Sequence, residues 1–574
     1  MYRILDNYRR RLTNYESVLA YALLGIVGGV FSGLVVLAFE LAIEQLAGVW
    51  GVAGAEDFES LPRWLALALP VLGAVVLGLA FSALRPDDRE VGIVHVLSRM
   101  HSHYGALPWR NAAVQFIGGA FALATGQSGG REGPGVHLGG AINSLIGQKL
   151  SLPNNSLRVL IACGTAGGIA AAFNTPLAGV IFAMEVIIVE YTVAGFIPVM
   201  LAAVASSAVS RNFGGSSVGL FDIPLIHMNS LWEIPFIVAL GICCGAAMAL
   251  FIRSSKLAAK LGHLPVLVRF TMAGLFTGSL ALLVPEVLGI GYDTLERVLH
   301  GQITLLALLA IALCKLFATS FSCGVGMPIG VIAPSLVIGA CIGGLMGIVA
   351  AIMYPDLASN QALYIVIGMA AAMGAMLNAP LAAILAVIEL TQSIGVAMPA
   401  LLAIVAANLT NTGIFRQRSA HQTILRQLQR KLPNDPLNQL LHRTDVSSIM
   451  DRLVTRVSAS IDQTEVVKLQ RATLPWCLVE REQEDLFLVA GNDLVSWLSE
   501  QVPGTEPVDI TQADIRRWTI ATVPRQATLR QAMDTIRGKT VEAVCVYGHG
   551  ARGARILQGV VTRESIEKFT LAKL

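Results

Sequence analysis

Residues 126–135 read Gly126-Gln127-Ser128-Gly129-Gly130-Arg131-Glu132-Gly133-Pro134-Gly135, between two apolar stretches. Glu132 is the informative residue. A carboxylate at membrane depth costs about 3 kcal/mol or more to place there, and by default it marks an ion or proton path. The glycines around it leave backbone N–H groups uncovered. Gly133-Pro134 can open a helix whose positive end faces the same point. The stretch therefore describes an anion site that contains its own anionic side chain.

The chain around it is membrane-like. Of 574 residues, 54% are hydrophobic and 14% charged, with a mean hydropathy of +0.65. Soluble domains carry about 25% charged residues. Charges are rare from about Glu16 to Thr412 and frequent beyond Arg416, so a membrane domain is followed by a soluble one. Many apolar stretches are interrupted by glycine and proline. Some are too long for one perpendicular crossing of about 20 residues and others too short. Short and broken helices point to substrate sites in transporters built from repeats.

A net charge of +3 gives no ground for a nucleic-acid partner. The eight cysteines show no metal-ligand spacing, and nothing implies disulfides. No nucleophile–base pair or metal motif supports an enzyme, and no resident cofactor is expected. Arg9-Arg10-Arg11 suggests a cytoplasmic N-terminus, and no small-residue cleavage site marks a signal peptide.

Outward from Glu132 the chain repeats itself. Gly164-Thr-Ala-Gly-Gly-Ile-Ala-Ala-Ala-Phe-Asn174-Thr-Pro176-Leu-Ala and the residues to Glu185 match the stretch from Gly368 to Glu389. Asn174, Pro176 and Glu185 have counterparts in Asn378, Pro380 and Glu389, each displaced by 204 residues. Gly130, Pro134 and Gly139 pair with Gly330, Pro334 and Gly339 at a displacement of 200. Two ordered matches at nearly one offset make a duplication, with halves of roughly residues 17–212 and 230–412. Whether the halves are inverted is left open by the residues themselves. If both glycine-rich turns open helices near the membrane centre, their positive ends, roughly half a unit charge each, can converge on one anion. From about Gln417 polar helices and short strands form two α/β units, about 446–500 and 516–569.

In these motifs the chain resembles the CLC family of chloride channels and chloride/proton antiporters. They are Gly130-Arg-Glu132-Gly-Pro134, then Gly330-Val-Ile332-Ala-Pro334, with Asn-x-Pro-Leu-Ala in each half. The resemblance implies an all-α polytopic membrane domain of inverted halves with broken helices, carried as a homodimer with one pore per subunit. It also implies a C-terminal α/β pair of CBS domains. The implied organisation is a cytosolic segment 1–16, a membrane domain 17–415, a linker helix 416–445 and the two CBS-like units. The implied location is a bacterial inner membrane, with both termini cytoplasmic. Glu132 would occupy an anion site when ionised and swing away when protonated. The amides of Gly130, Arg131, Gly133, Val331, Ile332 and Ala333 would hold chloride and similar anions.

Three positions depart from the family pattern. Val91, before Gly92-Ile93, stands where a filter serine hydroxyl is usual. His421 aligns with the pore tyrosine. Val186 occupies the position of the inner proton-accepting glutamate of well-known antiporters, and a valine carries no proton. The expected function is therefore passive anion conduction gated by Glu132, with a chloride/proton antiporter as the alternative. A CBS-containing magnesium-type transporter is the rival of another class. It would need clustered oxygen ligands, whereas Glu132, Glu185 and Glu389 lie singly among glycine turns.

Glu185 and Glu389 are expected to bond backbone near broken helices. Lys315 is expected to snorkel or to meet a buried carboxylate. His95 and His137 are placed outside the site as satisfied polar residues. Adenine nucleotide on the CBS pair has slender support: the second unit keeps a hydroxyl, Thr562, and the first a carboxylate, Asp493.

Overall fold

A computed structural model describes residues 18–52, 56–189, 193–214, 228–355, 358–427, 440–441, 444–471, 475–481, 484–500, 507–537, 541–549 and 555–573. The N-terminal segment with Arg9-Arg10-Arg11, and residues 428–439 and 442–443 of the expected linker, lie outside these residues. The chain divides into two compact units, broadly residues 18–431 and 432–574.

The first unit is helical, and its two halves match element for element. The first half contains α1 (Val18–Val49), α2 (Arg63–Ala83), α3 (Gly92–Ser102), α4 (Trp109–Ala124), α5 (Glu132–Lys149), α6 (Asn154–Phe173), α7 (Pro176–Phe182) and α8 (Val193–Gly214). The second contains α9 (Ile234–Ala259), α10 (Val266–Ala281), α11 (Tyr292–Leu299), α12 (Leu305–Gly324), α13 (Ile332–Met353), α14 (Gln361–Leu377), α15 (Pro380–Thr391) and α16 (Ala397–Asn408). A final helix, α17 (Ala420–Gln427), follows. Among the described residues, eight helical stretches are long and apolar enough to cross a membrane. Others, such as α7, α11 and α15, are half-length pieces.

Asparagine and proline explain the breaks. Asn174 and Asn378 take the left-handed conformation, at φ 57° and 54°, which asparagine tolerates better than most residues. Pro176 and Pro380 then open α7 and α15 at the first helical turn, where no N–H is needed. The next two amides of each new helix are satisfied from the other half. Glu389 accepts Leu177 N at 2.9 Å and Ala178 N at 2.8 Å. Glu185 accepts Leu381 N at 3.4 Å and Ala382 N at 2.8 Å. The backbone-bonding role expected of both glutamates is what the structure contains.

The same reciprocity appears at the centre. Gly130 and Gly330 form an antiparallel bridge, each N–H donating to the other's carbonyl at 2.8 Å. An antiparallel pair of this kind relates the two halves by a local two-fold. Around it α5 crosses α6 where Gly139 lies against the Gly164 carbonyl, and α13 crosses α14 where Gly339 lies against that of Gly368. A methyl at either glycine would overlap the opposing backbone, so small residues set how closely these helices approach.

Lys315 departs from expectation. It is fully buried on α12 and its Nζ donates to the carbonyls of Val287 and Leu288 at 3.2 Å and Gly289 at 3.0 Å. It ties down the turn that leads into α11 rather than reaching water.

The second unit contains two α/β repeats. In the first, β1 (Val454–Ser458) pairs in parallel with β3 (Trp476–Arg481), which pairs antiparallel with β4 (Glu484–Ala490). Between β1 and β3 lie the two-residue strand β2 (Ser460–Ile461) and helix α18 (Gln463–Arg471), and β4 leads into α19 (Gly491–Glu500). After the short β5 (Val508–Asp509), which pairs with β2, the order recurs. β6 (Ile520–Pro524) is parallel to β7 (Ala543–His549), and β7 is antiparallel to β8 (Arg555–Thr562). α20 (Leu529–Arg537) and α21 (Arg563–Lys573) complete the second repeat. The sheets share an apolar cluster centred on Leu478, Leu488, Ala543, Cys545 and Val560.

Candidate functional site

Helices α5 and α13 begin beside the Gly130–Gly330 bridge, and Glu132 is the first residue of α5. Its side chain is fully buried. Ala333 N, in the first turn of α13, donates to Glu132 Oε2 at 3.3 Å. The Tyr292 hydroxyl donates to Glu132 Oε1. The carboxylate thus accepts from the start of the opposing helix, where an anion would be received. Gly130 makes this possible, because a Cβ there would strike Glu132 Oε2.

One expected anion ligand is corrected. The Gly130 amide is spent on the Gly330 carbonyl, so it offers no donor to an ion. Gly133 and Val331 line a cavity, described below, and Ile332 and Ala333 open α13. Arg131 contributes more than backbone. Its Nε lies 3.4 Å from Glu40 Oε1, its Nη2 donates to the Ala172 carbonyl at 3.2 Å, and its guanidinium sits 5.4 Å over the Tyr292 ring.

Tyr292 begins α11 and belongs to an acidic cluster that motif reasoning missed. Glu56 accepts the N–H groups of Tyr292 at 2.7 Å and Asp293 at 3.4 Å. Glu59 accepts the Thr294 hydroxyl at 3.1 Å and lies 3.2 Å from Arg297. Burial pushes the Glu56 carboxyl up to about 7, with Arg131 opposing the shift. Glu59 is raised as well, by burial and then by the neighbouring Asp293 carboxylate. A signal was present: Tyr292 stands 200 residues after Gly92, so the repeat marks it as the counterpart of the filter glycine.

A cavity of about 490 Å³ adjoins the bridge and is lined by Val91, Gly92, His95, Gly133, Val331 and His421. Val91 and His421, expected from sequence to border the anion path, lie on this one cavity. His421 is buried, and its Nδ1 has no hydrogen-bond partner among the described residues. Arg89, Lys260 and Arg269 also line it, against the single carboxylate of Glu90. Such a lining raises the local concentration of anions.

His95 and His137 are paired rather than separate. His95 Nδ1 lies 2.9 Å from His137 Nε2, and Arg99 Nε donates to His95 Nε2 at 3.3 Å. The arginine leaves the His95 proton on Nδ1, facing His137. Val186 sits in a π-helical turn, Ala183–Ile188, beside the capping Glu185. Asp493 is exposed in the first turn of α19. Thr562 ends β8, with its hydroxyl accepting Ser565 N at 3.2 Å. Among the described residues no hydrogen bond joins Asp493 to Thr562.

Two helix starts converging on a buried carboxylate, inside a duplicated helical domain, define an ion-transport protein of the membrane. Residues 72–412 match the sequence family described as voltage gated chloride channel, and the chain belongs to this CLC family. It is 32% identical over 402 residues to a protein named putative chloride channel protein ClcB-like from Ralstonia nicotianae, covering 68% of this chain and 92% of that one. It is 30% identical over 449 residues to an H(+)/Cl(-) exchange transporter ClcA of Vibrio cholerae, covering 76% and 94%. The fold matches the crystal structure of a eukaryotic CLC transporter with a TM-score of 0.57 at 20% identity, covering 97% of this chain and 98% of that one. The chain is thus an integral membrane protein of CLC-type anion transport.

Proposed function

We propose that the protein conducts chloride and similar anions passively and that Glu132 is its gate. The observation that carries this is the acceptance of the Ala333 amide by the Glu132 carboxylate. The carboxylate occupies the helix-start position where an anion would bind, and protonation would release it. The amides of Arg131, Gly133, Val331, Ile332 and Ala333 then receive the ion, with Val91 and His421 bordering its cavity. Passive conduction is supported by Val186, which offers no proton site at the inner position. The cation-rich cavity argues against a magnesium-type transporter.

The decisive experiment uses purified protein in liposomes under combined chloride and proton gradients. Chloride is expected to run down its own gradient with little accompanying proton movement. Chloride driven uphill by a proton gradient at a fixed ratio would refute passive conduction. In the same assay Glu132→Gln should remove pH dependence, and an unchanged pH profile would remove Glu132 from the gate.

A chloride/proton exchanger is the second reading. It is favoured by the His95–His137 pair, which links the cavity lining to the gate helix α5. The Vibrio relative named an exchanger points the same way.

We further propose a homodimer in a bacterial inner membrane with both termini cytoplasmic, and a CBS pair at residues 446–500 and 516–569. The recurring strand order of the second unit supports the CBS assignment. Asp493 and Thr562 remain the residues proposed for an adenine nucleotide.

A further inference from the structure

We propose that Tyr292 is the positioning residue of the gate: its hydroxyl holds the ionised Glu132 in the anion path and sets the pH at which the carboxylate lets go. This rests on Glu132 acting as the gate.

The geometry separates the holder from the held. Tyr292 is almost wholly buried, and its hydroxyl reaches Glu132 Oε1. Its backbone is fixed independently: Glu56 takes its N–H at 2.7 Å, and Gly291 before it sits at φ +92°, in a turn whose carbonyls Lys315 binds. Its ring is packed under the Arg131 guanidinium and 6.3 Å from the Phe173 ring. Nothing in this anchoring depends on Glu132. The carboxylate can therefore leave while the hydroxyl stays in place.

A donor aimed at a carboxylate favours the charged form. Tyr292 thus opposes protonation of the gate, and losing its hydroxyl lets protonation occur at higher pH. The other charged groups around this contact are Arg131 beside the gate, Glu40 from α1 and Glu56 and Glu59 from the loop before α2. Among the described residues, Asp293 on α11 and Lys315 on α12 stand near it as well. Removing only the hydroxyl leaves every one of them in place.

The test is chloride flux from proteoliposomes across a pH series for the unmodified protein, Y292F, E132Q and the double variant. Hydrogen bonds to charged groups have a strength that converts to a shift of about one pH unit or more. Y292F should move the flux midpoint upward by that amount. E132Q should abolish the pH response, and the double variant should match E132Q. Calorimetric titration of detergent-solubilised Y292F with chloride at pH 7.5 should show tighter binding, because the competing carboxylate is held less firmly.

An unmoved midpoint in Y292F, with the pH response abolished in E132Q, overturns the proposal while leaving the gate intact. A pH response that survives in E132Q removes the gate and this proposal with it. A Y292F protein that fails to fold, scored by gel filtration, assigns the hydroxyl a structural role and likewise overturns the proposal.

Discussion

Helices α3 and α11 occupy equivalent places in the two halves, and their first residues have opposite characters. At α3 Gly92 donates its N–H to Gln115 Oε1 at 2.7 Å and faces open space. At α11 Tyr292 donates its N–H to Glu56 and buries a ring against Glu132. The residue behind each has diverged in step, Gln115 in one half and Lys315 in the other. The backbone plan was kept, while the charges were redistributed. One end became a cation-lined cavity and the other an acidic, packed cluster around Glu132. Duplication supplied two helix starts, and divergence packed one of them against Glu132.

The sharpest way to break this comparison is at the bridge. G330A would place a Cβ 2.7 Å from Gly133 N and 2.8 Å from the Gly130 carbonyl, and neither atom can move independently of the backbone. A loss of about 3 kcal/mol is expected, seen as a large fall in the thermal unfolding midpoint in detergent. G130A meets a side-chain carboxylate, that of Glu132, rather than backbone first. It should retain the fold better and weaken the pH dependence of flux. Equal destabilisation by the two would contradict the asymmetry.

The reciprocal caps give a smaller effect. E389A should cost about 1–2 kcal/mol by freeing two amides of α7, measured as thermal stability in detergent. E185A should cost less, because one of its two bonds is long at 3.4 Å.

Glu56 ranks third. Its folded-state value is pushed up to about 7, so the folded protein holds this proton more tightly than the unfolded chain does. That contribution is fully present below the ordinary glutamate value of about 4.3. It is lost as pH rises through 7. The unfolding midpoint should therefore fall between pH 5 and pH 8, and E56Q should flatten that part of the fall. The smallest effect is expected at the open end: V91S adds a hydroxyl to the cavity and should alter the chloride-to-nitrate flux ratio by about threefold.

Much of this architecture was legible in the chain. The repeat of Asn-x-Pro and of the glycine turns located the breaks, because left-handed asparagine and helix-opening proline are local requirements. Glu132 stood out because a membrane carboxylate is costly wherever the chain folds. The backbone role of Glu185 and Glu389 followed from their recurrence in both halves. What surrounds Glu132 was not legible. Tyr292 reaches it across a long sequence separation, and Glu56 acts only through the Tyr292 N–H; the 200-residue repeat marks Tyr292 only as the counterpart of Gly92. The Gly130 amide gave no sign that a second copy of its own turn would consume it. Val91 and His421 came from alignment alone and lie on the same cavity. His95 and His137, set aside singly, are informative only as a pair.

The reciprocal glutamates also bear on how the chain is made. The α7 amides wait for Glu389, which is synthesised more than two hundred residues later. Until the second half has emerged and docked, the first holds a helix start without the carboxylate that caps its two amides. Completion of the fold is therefore tied to the end of the membrane domain's synthesis, and a truncated first half carries its own mark of incompleteness.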